Sequence, residues 1–143
     1  MKKIITNSEK QTFNVGKKLS KSLKGGEVLA LSGNLGAGKT VLIKGIASGL
    51  GIKKPVTSPT FVLMKVYNVK NSKIKIKQLV HIDCYRTSGK DEIEAIGALD
   101  YFNQPDTITV IEWAEKIKNI LPKKTINIKI KIGKLNKREI TIK

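Results

Sequence analysis

Gly33-Asn34-Leu35-Gly36-Ala37-Gly38-Lys39-Thr40 is the stretch that sets the fold. It fits the phosphate-loop pattern Gly-x-x-x-x-Gly-Lys-Thr in full. Glycines let the backbone curl around a phosphate, so that successive N–H groups point inward as a nest. Gly36 and Gly38 can take dihedrals that a side chain forbids. A helix starting at this point adds its positive end to the anion site. Lys39 can reach β- and γ-phosphates as a mobile point charge, and the Thr40 hydroxyl is placed to ligate Mg²⁺. The flanks agree. Val28-Leu29-Ala30-Leu31 is a continuous apolar run, as in a strand buried on both faces. Val41, Leu42, Ile46 and Leu50 recur at helical spacing until Gly49 and Gly51 end the helix. A bare glycine-rich turn would not need both.

Working outward, Ile4-Ile5 reads as a short strand, and Ser8-Glu9-Lys10-Gln11 has capping-box form. The helix that follows carries Phe13, Val15, Leu19 and Leu23 and should end near Gly25-Gly26. Beyond the phosphate-loop helix, Pro55 and Pro59 bracket a loop over 55–60. Residues 61–69 and 73–82 read as strands of a hairpin turning near Asn71-Ser72. Asp91 to Leu99 should be a short helix, Ile108 to Ile111 a buried strand, and Glu115 to Ile120 a brief helix stopped by Pro122. Residues 125–132 and 138–142 alternate as a C-terminal β-hairpin around 133–136. The order predicts one α/β domain over 1–143, a three-layer αβα arrangement of P-loop NTPase type with a mixed central sheet.

Composition narrows the class. The 143 residues are 40% hydrophobic and 27% charged, which suits a globular domain. No apolar run is long enough for a membrane span, and residues 1–7 hold no secretory core. The single cysteine, Cys84, has no internal disulfide partner; the expectation is a cytoplasmic protein. The net charge of +17 comes from 26 Lys and two Arg, Arg86 and Arg138, spread over the whole chain. A nucleic-acid surface usually mixes in the arginine fork. A bias replacing Arg by Lys accounts for most of this charge, and a weak pull toward an RNA-containing partner for the rest.

A phosphate loop needs a carboxylate at the end of a neighbouring strand, close to Mg²⁺. Asp83 follows Leu79 to Ile82, and Glu112 follows Ile108 to Ile111; both are candidates, as ligand or as water-orienting group. His81 is the only histidine and has no zinc cluster around it, so it reads as a hydrogen-bonded strand residue. Cys84 reads as packing, and Trp113 as either core or an anchor for a partner.

Four motifs together resemble one family. They are the phosphate loop, Thr57-Ser58-Pro59-Thr60-Phe61, His81-Ile82-Asp83-Cys84-Tyr85-Arg86 and Ile111-Glu112-Trp113. Their order and spacing resemble the TsaE family, also called YjeE. It is the bacterial ATPase component that serves formation of threonylcarbamoyladenosine on tRNA. The resemblance implies ATP and Mg²⁺ as ligands. It assigns nucleotide contacts to Glu9, Asn34, Leu35, Gly36, Ala37, Gly38, Lys39, Thr40, Val41 and Arg138. It implies that Thr40 and Glu112 hold the metal, and it gives catalytic roles to Lys39, Asp83 and Glu112. The Ser58-Pro59-Thr60 segment resembles a switch that senses the γ-phosphate. TsaD and TsaB are the implied partners, with tRNA reached through the complex and no membrane involved. Two positions depart from the family: Asn34 stands where Asp is usual, and Val41 where a second Thr is common.

Two rival functions remain open on sequence. A P-loop small-molecule kinase would usually carry an arginine-bearing lid, and no lid insertion is evident. A basic RNA-binding module would need stacking aromatics, but the three Phe, three Tyr and one Trp do not cluster.

Overall fold

The structure is a computed structural model, and it describes residues 1–59 and 61–143. Thr60, the end of the expected switch segment, lies outside the described residues. The strands are β1 (Lys2–Thr6), β2 (Val28–Ser32), β3 (Met64–Asn68), β4 (Gln78–Asp83), β5 (Thr107–Glu112), β6 (Ile126–Ile132) and β7 (Arg138–Ile142). The helices are α1 (Glu9–Ser20), α2 (Lys39–Gly49) and α3 (Lys90–Ala95). The strands join in one seven-stranded sheet, in the order β1-β7-β6-β2-β5-β4-β3. β6, β2, β5 and β4 run parallel, while β7, β1 and β3 are antiparallel to their neighbours.

Strand alternation divides the core into two. Leu29, Leu31, Leu79, Ile108, Val110, Ile128 and Ile130 point to the side where Leu42, Ile43 and Ile46 of α2 and Val15 and Leu19 of α1 pack. Val28, Ala30, Val80, Ile82 and Ile111 point the other way, onto Ile93, Ala98, Ala114 and Ile117. The middle strands are therefore covered on both faces, which explains why β2 and β5 read as unbroken apolar runs.

Local departures have local causes. Ser8 caps α1 as expected, with the Gln11 amide 3.2 Å from its hydroxyl. Gln11 Oε1, however, accepts from the Asn7 amide at 2.7 Å, one residue earlier than a standard box. α1 ends at Ser20, before Gly25-Gly26. There the Ser20 and Ser22 hydroxyls bond back to the carbonyls of Lys17 and Leu19 and compete with helix continuation. β3 starts at Met64, not at 61, because Leu63 sits at φ 61°. Residues 73–77 alternate yet form no strand: Ile76 and Ile74 pack into the core while Lys77 bonds Asp106 outside any ladder. The expected helix over 91–99 breaks after α3 and resumes as a 3₁₀ turn over Ala98–Tyr101. The segment expected as helix at 115–120 is a 3₁₀ stretch, Ala114–Ile120, interrupted at Ile117.

α1 and α2 cross at glycines. A Cβ on Gly45 would lie 2.0 Å from the Phe13 carbonyl oxygen, and one on Gly16 would lie 2.1 Å from that of Leu42. Gly45→Ala must push the helices apart. The expected loss is about 1–3 kcal/mol, read from the urea midpoint. An unchanged midpoint would mean that this crossing is not tight. The contact matters beyond stability, because α2 begins at the end of the 33–38 loop.

Candidate functional site

The parallel strands all end on one side of the sheet, and the functional residues gather there. The 33–38 loop leaves β2 and turns into α2 at Gly38, whose φ of 106° only glycine adopts freely. The first amides of α2 have no intrahelical acceptor and are available to an anion.

Parallel register pairs Asp83 of β4 directly with Glu112 of β5. Alternation puts both acids, and His81 two residues before Asp83, on the α1–α2 side of the sheet. Glu112 is buried. Its Oε1 and Oε2 accept from the Thr40 hydroxyl at 2.9 and 3.2 Å. His81 Nε2 lies 2.9 Å from Oε1. Asp83 is engaged separately: Oδ2 accepts from the Ser58 hydroxyl at 2.6 Å and Oδ1 from the Tyr85 amide at 2.9 Å.

Lys39 is buried and folded back on its own loop, donating to the carbonyls of Gly33 (2.6 Å) and Asn34 (3.0 Å). Its Nζ lies 4.1 Å from the ring centroid of Trp113. Burial lowers its pKa below the ordinary lysine value, while the carboxylates of Glu112, Glu115 and Asp83 pull it back up. Trp113 is held at φ 57° immediately after Glu112, and Tyr85 packs on it at a centroid distance of 5.0 Å.

Two recesses meet at this loop. One, of about 380 Å³, is lined by Lys39, Thr40, Ser58, Asp83, Glu112 and Trp113. The other, of about 340 Å³, lies between Asn7, Thr12, Asn136 and Arg138. Glu9, Gly36, Gly38 and Val41 border both. Arg138 spans toward the loop, with one guanidinium nitrogen 3.4 Å from the Gly36 carbonyl. The volumes are those of a small-ligand cleft.

The residues singled out in the sequence thus converge, with two exceptions. Asn34 borders a different groove, beside Lys129 to Ile132 of β6, and meets the site only through the carbonyl that holds Lys39. Ala37 is fully buried, and its amide bonds Asn34 within the loop. Leu35 does border the first recess. Sequence reasoning placed His81 in a hydrogen bond but did not identify Glu112 as its partner. It also missed the place of Trp113 beneath Lys39; the ring packs partly on the α3-side core and lines the cleft as well. Cys84 is buried, and burial pushes its thiol up to about 12, which leaves it a packing group. Arg86 lines the first recess, its guanidinium carbon 4.8 Å from the Phe61 ring centroid.

Among the described residues, no group of three or more His, Cys, Asp or Glu side chains is set to hold a metal by itself. A Mg²⁺ ion at a phosphate loop does not need one, because it takes one or two protein oxygens and completes its shell with substrate phosphates and water. The adjoining hydroxyl of Thr40 and carboxylate of Glu112 are hard oxygen donors of that kind. Among the described residues, no helix is long and apolar enough to cross a membrane.

Comparison with known proteins finds matches over nearly the whole chain. The family model described as threonylcarbamoyl adenosine biosynthesis protein TsaE matches residues 6–140. The tRNA threonylcarbamoyladenosine biosynthesis protein TsaE of Treponema pallidum is 36% identical over 138 residues, covering 96% of this chain and 97% of that protein. The protein of the same name from Bacillus subtilis is 40% identical over 136 residues, covering 95% and 81%. The crystal structure of Bacillus subtilis YdiB superposes with a TM-score of 0.75 at 35% identity, covering 99% of this chain and 83% of that one.

Proposed function

Because this chain belongs to the TsaE family, we propose that it is a Mg²⁺-dependent ATPase subunit serving threonylcarbamoyladenosine formation on tRNA. The observation that carries the reading is the Thr40–Glu112 contact of 2.9 Å. It joins the first turn of the phosphate-loop helix to the end of the adjacent strand β5.

ATP is the substrate. The backbone amides of Gly36, Gly38, Lys39 and Thr40 bind its phosphates, and Glu9, Val41 and Arg138 border the recess open to its nucleoside. Lys39 leaves the carbonyls of Gly33 and Asn34 and pairs its ammonium with the phosphates. Thr40 and Glu112 would hold Mg²⁺, which supplies charge neutralisation at the phosphoryl oxygens. Asp83 stands beside Glu112 and orients the attacking water. Its Oδ2 accepts from the Ser58 hydroxyl, so movement of the loop around Ser58 and Pro59 would free that oxygen. This gives the loop the character of a switch.

The chain acts on partners, TsaD and TsaB, in the cytoplasm, and does not itself transfer the threonylcarbamoyl group. Its clefts accommodate one nucleotide and leave tRNA to the complex. ATP turnover by the purified chain, alone and then with TsaD, TsaB and tRNA, tests the proposal. Severalfold stimulation by the partners is the expected result. Unchanged turnover would overturn the subunit role, and phosphoryl transfer to a small-molecule acceptor would favour a kinase.

A further inference from the structure

His81 is fully buried in β4, between Val80 and Ile82 in sequence. Its ring has one hydrogen-bond partner among the described residues, Glu112, at 2.9 Å through Nε2. Nδ1 is buried with none. These contacts fix the tautomer. A proton on Nδ1 would be an unpaired buried donor, and it would turn the Nε2 lone pair against a carboxylate oxygen. A proton on Nε2 gives one charge-assisted bond and leaves only an acceptor unused. His81 Nε2–H therefore donates to Glu112 Oε1.

The position calls for no polar group on other grounds. His81 pairs across the sheet with Lys65 on one side and Val110 on the other, one pleat behind the Asp83–Glu112 pair. A β-branched apolar residue would pack there without desolvating an imidazole. What the imidazole supplies is a fixed donor to one oxygen of a carboxylate. The terminal torsion of a glutamate is otherwise broad and two-fold.

We propose that His81 is a positioning residue for divalent-cation binding. By engaging Oε1 it fixes the rotation of the Glu112 carboxylate and leaves Oε2 to the ion beside the Thr40 hydroxyl. This inference rests on the reading that Thr40 and Glu112 hold Mg²⁺. Groups that orient a metal ligand in this way typically change metal affinity about 10–100-fold when removed.

Three substitutions separate this role from mere packing. Glutamine places its amide nitrogen where Nε2 stands, asparagine places its own where Nδ1 stands, and leucine supplies neither. The readout is the affinity for a non-hydrolysable ATP analogue, measured with Mg²⁺ and again with EDTA. His81→Leu and His81→Asn should reduce the Mg²⁺-dependent gain in affinity about 10–100-fold and leave EDTA binding unchanged. His81→Gln should keep most of the gain. Should the leucine variant not fold, the asparagine–glutamine comparison decides alone. A full Mg²⁺ gain in the asparagine variant, or equal losses with Mg²⁺ and EDTA, would overturn the positioning role. A wild-type protein whose affinity ignores Mg²⁺ would overturn the metal reading itself, and the inference with it.

Discussion

Lys39→Met will leave the protein folded and remove its thermal response to Mg-ATP. The ammonium is buried and, among the described residues, is met by the carbonyls of Gly33 and Asn34 and by the Trp113 ring. A methionine keeps the apolar stem and much of the packing. Nucleotide at about 100 times its Kd stabilises a protein by about 2.7 kcal/mol, which is about 5–10 °C for a chain of this size. Deleting a charge that pairs with phosphate costs about 2–4 kcal/mol of binding, or about 30- to 1000-fold. The shift should then fall to about 3 °C or less at the same concentration. The pH dependence has a definite sign. Burial lowers the lysine pKa in the folded state, so the ammonium opposes folding below that pKa. That cost fades as pH rises through the lowered value toward the unfolded one. Phosphates do the reverse and favour the ammonium. The wild-type shift should thus weaken toward alkaline pH as the lysine loses its proton, whereas Lys39→Met should show no such slope. Differential scanning fluorimetry with and without Mg-ATP reads both. A variant with the full wild-type shift would remove Lys39 from the phosphate site.

Much of this was legible because the phosphate loop is a backbone motif. Glycines at fixed spacing, an apolar strand before and a periodic helix after are local features, and β2, the loop and α2 form where they predict. The strand-end acids were legible for the same reason, since Asp83 and Glu112 each close an apolar run. What could not be read was lateral. Strand order brings β5 between β2 and β4, and only that order puts Glu112 within reach of both Thr40 and His81. The contact between Gly16 and Gly45 was equally hidden, because nothing in either helix says which glycine meets which backbone. Alternation misled at 73–77, where Ile76 is buried and Ile74 half-buried by a loop rather than by a ladder. The 3₁₀ character of Ala98–Tyr101 and Ala114–Ile120, expected in part as ordinary helix, was hidden because their apolar residues are too few to show a period.

The two neighbouring carboxylates should separate by function when each is removed. If Glu112 holds Mg²⁺ as proposed, Glu112→Ala takes away a metal oxygen, so affinity for ATP in Mg²⁺ should fall about 100-fold while affinity in EDTA stays within about threefold. It also strands the buried His81 donor, a cost of about 1–3 kcal/mol in stability. Glu112→Gln resolves the ambiguity. Its carbonyl can still accept from His81 and keep the fold, but it brings no charge to the ion. The melting temperature should recover while the Mg²⁺-dependent affinity does not. Asp83 makes no contact with Thr40 and spends its oxygens on Ser58 and the Tyr85 amide. Asp83→Ala should therefore leave nucleotide affinity within a fewfold and lower turnover about 100-fold or more, as expected for a group that orients a water. Titration of both variants with ATP in Mg²⁺ and in EDTA, followed by single-turnover hydrolysis, makes the comparison. A reversed pattern, with Asp83→Ala losing Mg²⁺ dependence and Glu112→Ala losing only turnover, would exchange the two roles. It would also place the metal on β4 rather than on β5, away from the hydroxyl that now meets Glu112.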